Sequence, residues 1–303
     1  MKRAPERVPS PAAADLLSAA FRKRLEALDF VAQKVFAGAL SGEHGSASRL
    51  ARGTLFREYR PMAPGDDLRY VDWNVFARLR VPYVKEFEPE EDLEVAIFLD
   101  ASPSMAIGEP EKFAYAREVA AALAFVALRR LESVRIVPCG PGVAPRSFHG
   151  SADVARAFRF LSQLAAGPGA PPADALRVAA SGSRARGLAV LLSDFYDEKG
   201  TDRALAMLAQ KRYRVFVIHV VSPEEVAPAF AGRVLLRDAE SGHEIAFDAS
   251  ADLLRAYRES FSRHCDAIER ACRRREAGYA RLVTSDPFES ALVRLVRTRH
   301  LLR

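Results

Sequence analysis

Leu93-Glu-Val-Ala-Ile-Phe-Leu-Asp-Ala-Ser-Pro-Ser-Met105 is the stretch from which the fold is read. An unbroken apolar run from Val95 to Leu99 ends at Asp100, and Ser102 and Ser104 follow at alternate positions. A short continuous apolar run suits a strand buried on both faces. Alternate residues of an extended chain project to one side, so a carboxylate and two hydroxyls converge where the strand ends. Hard oxygen donors of this kind suit Mg²⁺ or Mn²⁺ rather than zinc. The stretch therefore predicts a divalent-cation site on a binding protein before it predicts an active site.

Downstream, the rhythm is that of an α/β protein. Helical spacing covers Glu111 to Arg130, with Arg129 and Arg130 favourably placed at its C-terminal end. A short strand is expected from Val134 to Pro138, and a helix from Ser151 to Leu164 with Ser151 as its cap. A further short helix is expected over Pro172 to Ala180. Leu188 to Ser193 reads as a buried strand running into Asp194, Asp202 to Gln210 as a helix, and Tyr213 to Val221 as another strand. Alternating buried strands and helices predict a doubly wound, mostly parallel sheet of Rossmann type. Ligands of such sheets bind outside the strands' carboxyl ends at a switch point. Asp100, Ser102, Ser104 and Asp194 are thus the candidate metal ligands.

Further on, Gly232 to Phe247 resembles a hairpin turning at Glu240-Ser241-Gly242. A long helix from about Ala249 to Glu276 should stop at Gly278, and Tyr279 to Val283 is strand-like. Upstream, residues 1–15 are rich in Pro and Ala and are expected to be disordered. Apolar residues between Asp15 and Leu40 recur at helical intervals, and residues 54–84 suit short strands and turns. The expected organisation is a tail (1–15), an N-terminal helix plus short-strand segment (16–92) packed on the main domain, and an α/β domain (93–303) with helical and hairpin additions.

Composition narrows the function. With 49% hydrophobic and 28% charged residues, the 303-residue chain can build a sizeable core. Its three cysteines form no CxxC pair, as expected of reduced thiols in a cytosolic protein. Met1-Lys2-Arg3 leads into no apolar leader, and the longest apolar run, Val119 to Leu128, is too short to cross a bilayer. A cytoplasmic protein without a transmembrane segment is expected. Residues 251–303 carry 12 arginines and 7 acids, interleaved at helical spacing without an aromatic platform, so a solvated helix face is expected rather than nucleic-acid binding. There is no GxxxxGK[ST] phosphate loop and no HExxH motif. His219, alone in an apolar strand, is read as a core residue.

The DxSxS run with its second strand-end aspartate resembles a von Willebrand factor A domain over residues 93–221. A more specific likeness lies upstream, in Tyr59-Arg-Pro-Met-Ala-Pro-Gly-Asp-Asp-Leu-Arg-Tyr-Val-Asp-Trp73 followed by Ala77-Arg78. It resembles the signature of the bacterial family called domain of unknown function fifty-eight, and Gly278-Tyr279 through Asp286-Pro287-Phe288 resembles that family's C-terminal strand and helix. The resemblance implies an A-type fold behind the signature, a site of the metal-ion-dependent adhesion kind (MIDAS-like), and a MoxR-type AAA+ ATPase or its client as partner. The implied role is that of a non-enzymatic adaptor or co-chaperone that holds Mg²⁺ or Mn²⁺. Ala170 stands where A domains carry a threonine ligand, so one hydroxyl is missing. The alternative is a Mg²⁺-dependent phosphoester hydrolase using the same carboxylates, although Ser102 stands where a second catalytic carboxylate would be wanted.

The signature itself has two readings. Arg60, Arg69 and Arg78 among Asp66, Asp67 and Asp72 could lock the segment onto the main domain through bidentate pairs, with Trp73 in the core. Alternatively these seven residues form a partner-docking surface anchored by Trp73.

Overall fold

The computed structural model describes residues 16–26, 55–64, 66–88, 94–130, 133–140, 142–167, 187–210 and 213–289. The expected disordered tail, the helix expected over Pro172 to Ala180 and Ala170 lie outside these residues. The chain divides into two compact units, residues 44–92 and the remainder.

The smaller unit is built on an antiparallel pair, β1 (Leu55–Pro61) and β2 (Tyr83–Glu88). Between them a 3₁₀ turn (Leu68–Tyr70) leads into the short helix α1 (Trp73–Leu79). The sequence predicts only strands and turns here. The helix forms because Asp72 caps it, accepting from the Asn74 and Val75 amides. Arg80, in the left-handed region at φ 56°, closes it.

The main unit carries a six-stranded sheet in the order β10-β7-β6-β3-β4-β5. These strands are β3 (Glu94–Asp100), β4 (Ser133–Cys139), β5 (Arg146–His149), β6 (Gly187–Ser193), β7 (Tyr213–Val221) and β10 (Gly278–Val283). Only β5 pairs antiparallel. The apolar runs of β3, β6 and β7 fall at the centre, where both faces are covered, so they need no polar alternation. Helices α2 (Lys112–Arg130) and α3 (Val154–Ser162) cover one face with Val95, Ile97, Leu99 and Ile218. Helices α4 (Glu198–Gln210) and α6 (Ala251–Arg273) cover the other with Ala96, Phe98, Leu191 and Val217. The predicted mostly parallel sheet between helical layers is what forms. Among the described residues no helix is long and apolar enough to cross a membrane.

Helix α2 is apolar around most of its circumference because it is enclosed. The sheet lies on one side, and α3 and residues 19–26 contribute to the same core, with Phe21 in edge contact with Phe158. Gly187 starts β6 because a Cβ there would sit 2.0 Å from the Glu94 carbonyl oxygen on the neighbouring strand.

Two terminus signals in the sequence are reassigned. Ser151 does not cap the helix after β5; a 3₁₀ turn (Ser151–Asp153) intervenes, and Asp153 binds the His149 amide instead. Likewise α6 ends before Gly278: Glu276 takes the left-handed conformation at φ 54°. Gly278 opens β10 opposite Phe216, whose ring leaves no room for a Cβ.

After β7, the single turn α5 (Pro223–Val226) is closed by a capping box in which Ser222 and Glu225 bond reciprocally. A two-stranded hairpin follows, β8 (Gly232–Arg237) and β9 (Glu244–Ala249), paired in register as expected. It leaves Leu235 and Ile245 62% and 58% exposed.

Candidate functional site at the sheet switch point

The chain leaves β3 for β4 on one side and returns to β6 on the other, so the carboxyl ends of β3 and β6 flank the switch point. Asp100 ends β3 and is 3% exposed. Its Oδ1 accepts the Ser102 amide at 2.9 Å, and its Oδ2 accepts the Ser193 hydroxyl from β6. Ser193 Oγ in turn accepts the Phe195 amide at 2.9 Å. The two strand ends are thereby stitched through Asp100. Burial, reinforced by the negative charge of Asp194, pushes the Asp100 carboxyl up to about 6, against the lowering effect of its Ser193 and Ser102 bonds.

Ser102 precedes a 3₁₀ turn (Pro103–Ala106) and provides it no side-chain cap. Its hydroxyl stands 3.1 Å from that of Ser104. Three of the four predicted ligands, Asp100, Ser102 and Ser104, are therefore brought together.

Asp194 is buried at the end of β6 and faces a cation already built into the chain. Its Oδ2 accepts from Lys112 Nζ at 2.8 Å. Lys112, 1% exposed, also donates to Glu225 Oε1 and lies over the Tyr196 ring at 5.2 Å. Glu225 is fully engaged, since it accepts Tyr196 Oη at 3.0 Å and the Ser222 amide at 2.7 Å as well. Burial pulls the Lys112 ammonium down, but the charges and hydrogen bonds of Asp194 and Glu225 outweigh it and leave its pKa raised. Just after Asp194 the chain turns through the left-handed region at Phe195, φ 55°, a conformation costing about 1–3 kcal/mol and typical of functional turns. The buried Phe195 ring meets His219 edge-on, with centroids 5.8 Å apart.

The sequence gives no warning of this network beyond one anomaly. Lys112 occupies the first position of α2, where the helix dipole disfavours a cation. The buried Asp194 and the partly buried Glu225 resolve that conflict. Ser193, Tyr196, Lys112 and Glu225 are the residues around the candidate site that strand-end reasoning misses. His219 is a core residue as expected, bonded to Tyr279 Oη at 3.0 Å. Burial, with the nearby His264, holds its pKa down at about 3.

The donor set on the Asp100 side fits a small hard cation. Two ligands of an octahedral Mg²⁺ at about 2.1 Å stand about 3 Å apart, the spacing at which the serine hydroxyls already lie. Among the described residues no three of His, Cys, Asp and Glu gather into a metal-binding group, so any cation here depends on those hydroxyls. Asp100, Ser102 and Ser104 would hold it, while Asp194 is committed to Lys112 through one of its oxygens.

In the smaller unit, Arg60 makes a bidentate pair with Asp66, at 2.6 Å on both branches, and Arg69 pairs with Asp67. These bonds close within the segment. The Asp66 carboxyl is held down at about 2 by Arg60 first and the Ala63 amide second. Asp72 is spent on capping α1 and accepting from Tyr59 Oη. Arg78 sits in the last turn of α1. Trp73 is not a core residue: it is 60% exposed, because the cap places it at the start of a helix with no buried residue.

Comparison with known proteins places the chain. It is similar to Uncharacterized protein Rv1480 of Mycobacterium tuberculosis, 27% identical over 292 residues that span 91% of this chain and 88% of the relative. A second relative, Uncharacterized protein MAV169 of Mycobacterium avium, is 32% identical over 42% of this chain and 72% of its own length. Among solved structures, the conserved hypothetical protein BatB from Bacteroides thetaiotaomicron matches with a TM-score of 0.45 and 20% identity, covering 67% of this chain and 97% of that one. An aerotolerance-related membrane protein from Bacteroides fragilis matches with a TM-score of 0.46 and 19% identity, over 68% and 98%. The model of the family described as protein of unknown function DUF58 matches residues 57–269, and the chain belongs to that family.

Proposed function

We propose that this protein is a non-enzymatic interaction module of von Willebrand factor A type that recognises an acidic side chain of a partner at the Asp100–Ser102–Ser104 rim. The observation that carries the reading is the convergence of one buried carboxylate and two hydroxyls 3.1 Å apart at the switch point. Mg²⁺ or Mn²⁺ held there would leave a coordination position for the partner carboxylate. The family resemblance supplies the partner, a MoxR-type AAA+ ATPase or a client that it remodels, for which this chain acts as adaptor or co-chaperone. The exposed Trp73 on the signature segment supports a second contact, since an exposed tryptophan is a common interface anchor.

The test is capture of a purified MoxR-type ATPase in Mg²⁺, with and without chelator. Capture should disappear with EDTA and in Asp100→Ala. Binding that survives both treatments would overturn the metal mechanism. Turnover of a phosphoester that vanishes in Asp100→Ala would replace it with the hydrolase reading.

A further inference from the structure

Glu240 sits at the tip of the β8–β9 hairpin, 136 residues away from Ser104 in sequence, yet its Oε1 accepts the Ser104 backbone N–H at 3.1 Å. That amide is an orphan donor at the start of the 3₁₀ turn, and Ser102 does not cap it. The hairpin is shaped to deliver this carboxylate. Asp238 Oδ1 gathers the Glu240 and Ser241 amides at 3.1 and 2.6 Å and the Ser241 hydroxyl at 2.7 Å. Gly242, at φ 72°, completes the turn. The tip is thus organised by Asp238, which leaves the Glu240 side chain to reach outward. Among the described residues no lysine or arginine forms an ion pair with Glu240.

We propose that Glu240 is an internal occupant of the carboxylate-docking position at the Ser104 rim, so that a partner binds by displacing the chain's own hairpin tip. The inference rests on the proposed function, because it assigns an occupant to the same site. Glu240 also defines the chemistry of what replaces it: an acidic side chain presented on a tight turn. A tethered carboxylate competes at an effective concentration on the order of millimolar, which raises the affinity that an external ligand must supply. The hairpin can leave because it is lightly held. Leu235, Leu236 and Ile245 remain exposed, in contrast to the enclosed central strands.

The test compares the unmodified 303-residue chain with Glu240→Ala, a surface change outside every buried cluster. Amide hydrogen exchange read at single residues should show Ser104 exchanging about tenfold faster or more in Glu240→Ala, with the β3 amides unchanged. Unchanged Ser104 exchange overturns the seating of the tip. Capture of a MoxR-type ATPase in Mg²⁺ is the second arm. Glu240→Ala should bind about fivefold tighter or more. Equal or weaker capture overturns the displacement model and leaves the proposed function standing. Absence of capture by both chains overturns the proposed function, and Ser104 exchange then still decides whether the tip is seated.

Discussion

Replacing Lys112 by Met removes the one ammonium that answers both Asp194 and Glu225. Asp194, its side chain 3% exposed, loses a 2.8 Å ion pair and stays sealed from water. Glu225 is better protected, because Tyr196 Oη and the Ser222 amide still bond to it. Breaking a buried pair from one side costs about 3–5 kcal/mol, most of it the stranded charge. At about 2–4 °C per kcal/mol for a domain of this size, the thermal midpoint should fall by about 6–20 °C. Urea unfolding followed by circular dichroism measures the difference directly. The double variant Lys112→Met/Asp194→Asn provides the control, since it removes the stranded charge as well. It should recover at least about 1 kcal/mol relative to the sum of the single changes. If Lys112→Met stays within about 1 kcal/mol of wild type, or if the two changes are additive, the ammonium does not hold the switch point together.

Other consequences are open to simpler assays. His219 is held neutral with a pKa near 3, well below its ordinary 6.5, so the unfolded chain takes up a proton first as pH falls. Stability from this residue is present above about pH 6.5 and is lost toward pH 3; between pH 7 and pH 5 it should drop by about 2 kcal/mol, a loss absent in His219→Phe if urea midpoints are compared at both pH values. Gly187→Ala forces a Cβ against the Glu94 carbonyl and should destabilise the sheet by about 2–4 kcal/mol in the same assay. Trp73→Ala should change stability by less than about 0.5 kcal/mol, since the ring is mostly exposed, while weakening ATPase capture. An equally large loss of stability in Trp73→Ala would mean that the ring is structural after all.

The centre of the fold was readable because its strands are buried on both faces. Val95 to Leu99, Leu188 to Leu192 and Val215 to Val221, the last interrupted only by His219, carry apolar runs that suit strands covered on both faces. The hairpin and α6 were readable for a similar reason, a local turn signal in one case and long periodicity in the other. Helix α1 was not, because seven residues hold too little period and the deciding signal was a cap at Asp72. Gly278 misled because a glycine after a helix can serve a neighbour as well as a terminus; here it makes room for Phe216. At the site, Asp100, Ser102 and Ser104 share one short segment and could be found together. Asp194, Glu225 and Glu240 meet Lys112 and Ser104 from distant parts of the chain, and no local pattern encodes such meetings.

The Lys112 contacts also impose an order on assembly. The lysine joins partners 82 and 113 residues further along the chain. During synthesis Lys112 leaves the ribosome long before Asp194 and Glu225, and β3 lacks its β6 neighbour for as long. A nascent or truncated chain ending before residue 194 carries the whole Asp-x-Ser-x-Ser string but lacks both carboxylates that answer the Lys112 ammonium. On the proposed function, a partner reading the Asp100–Ser102–Ser104 rim would engage chains in which β3 and β6 are already joined, in preference to fragments that lack β6.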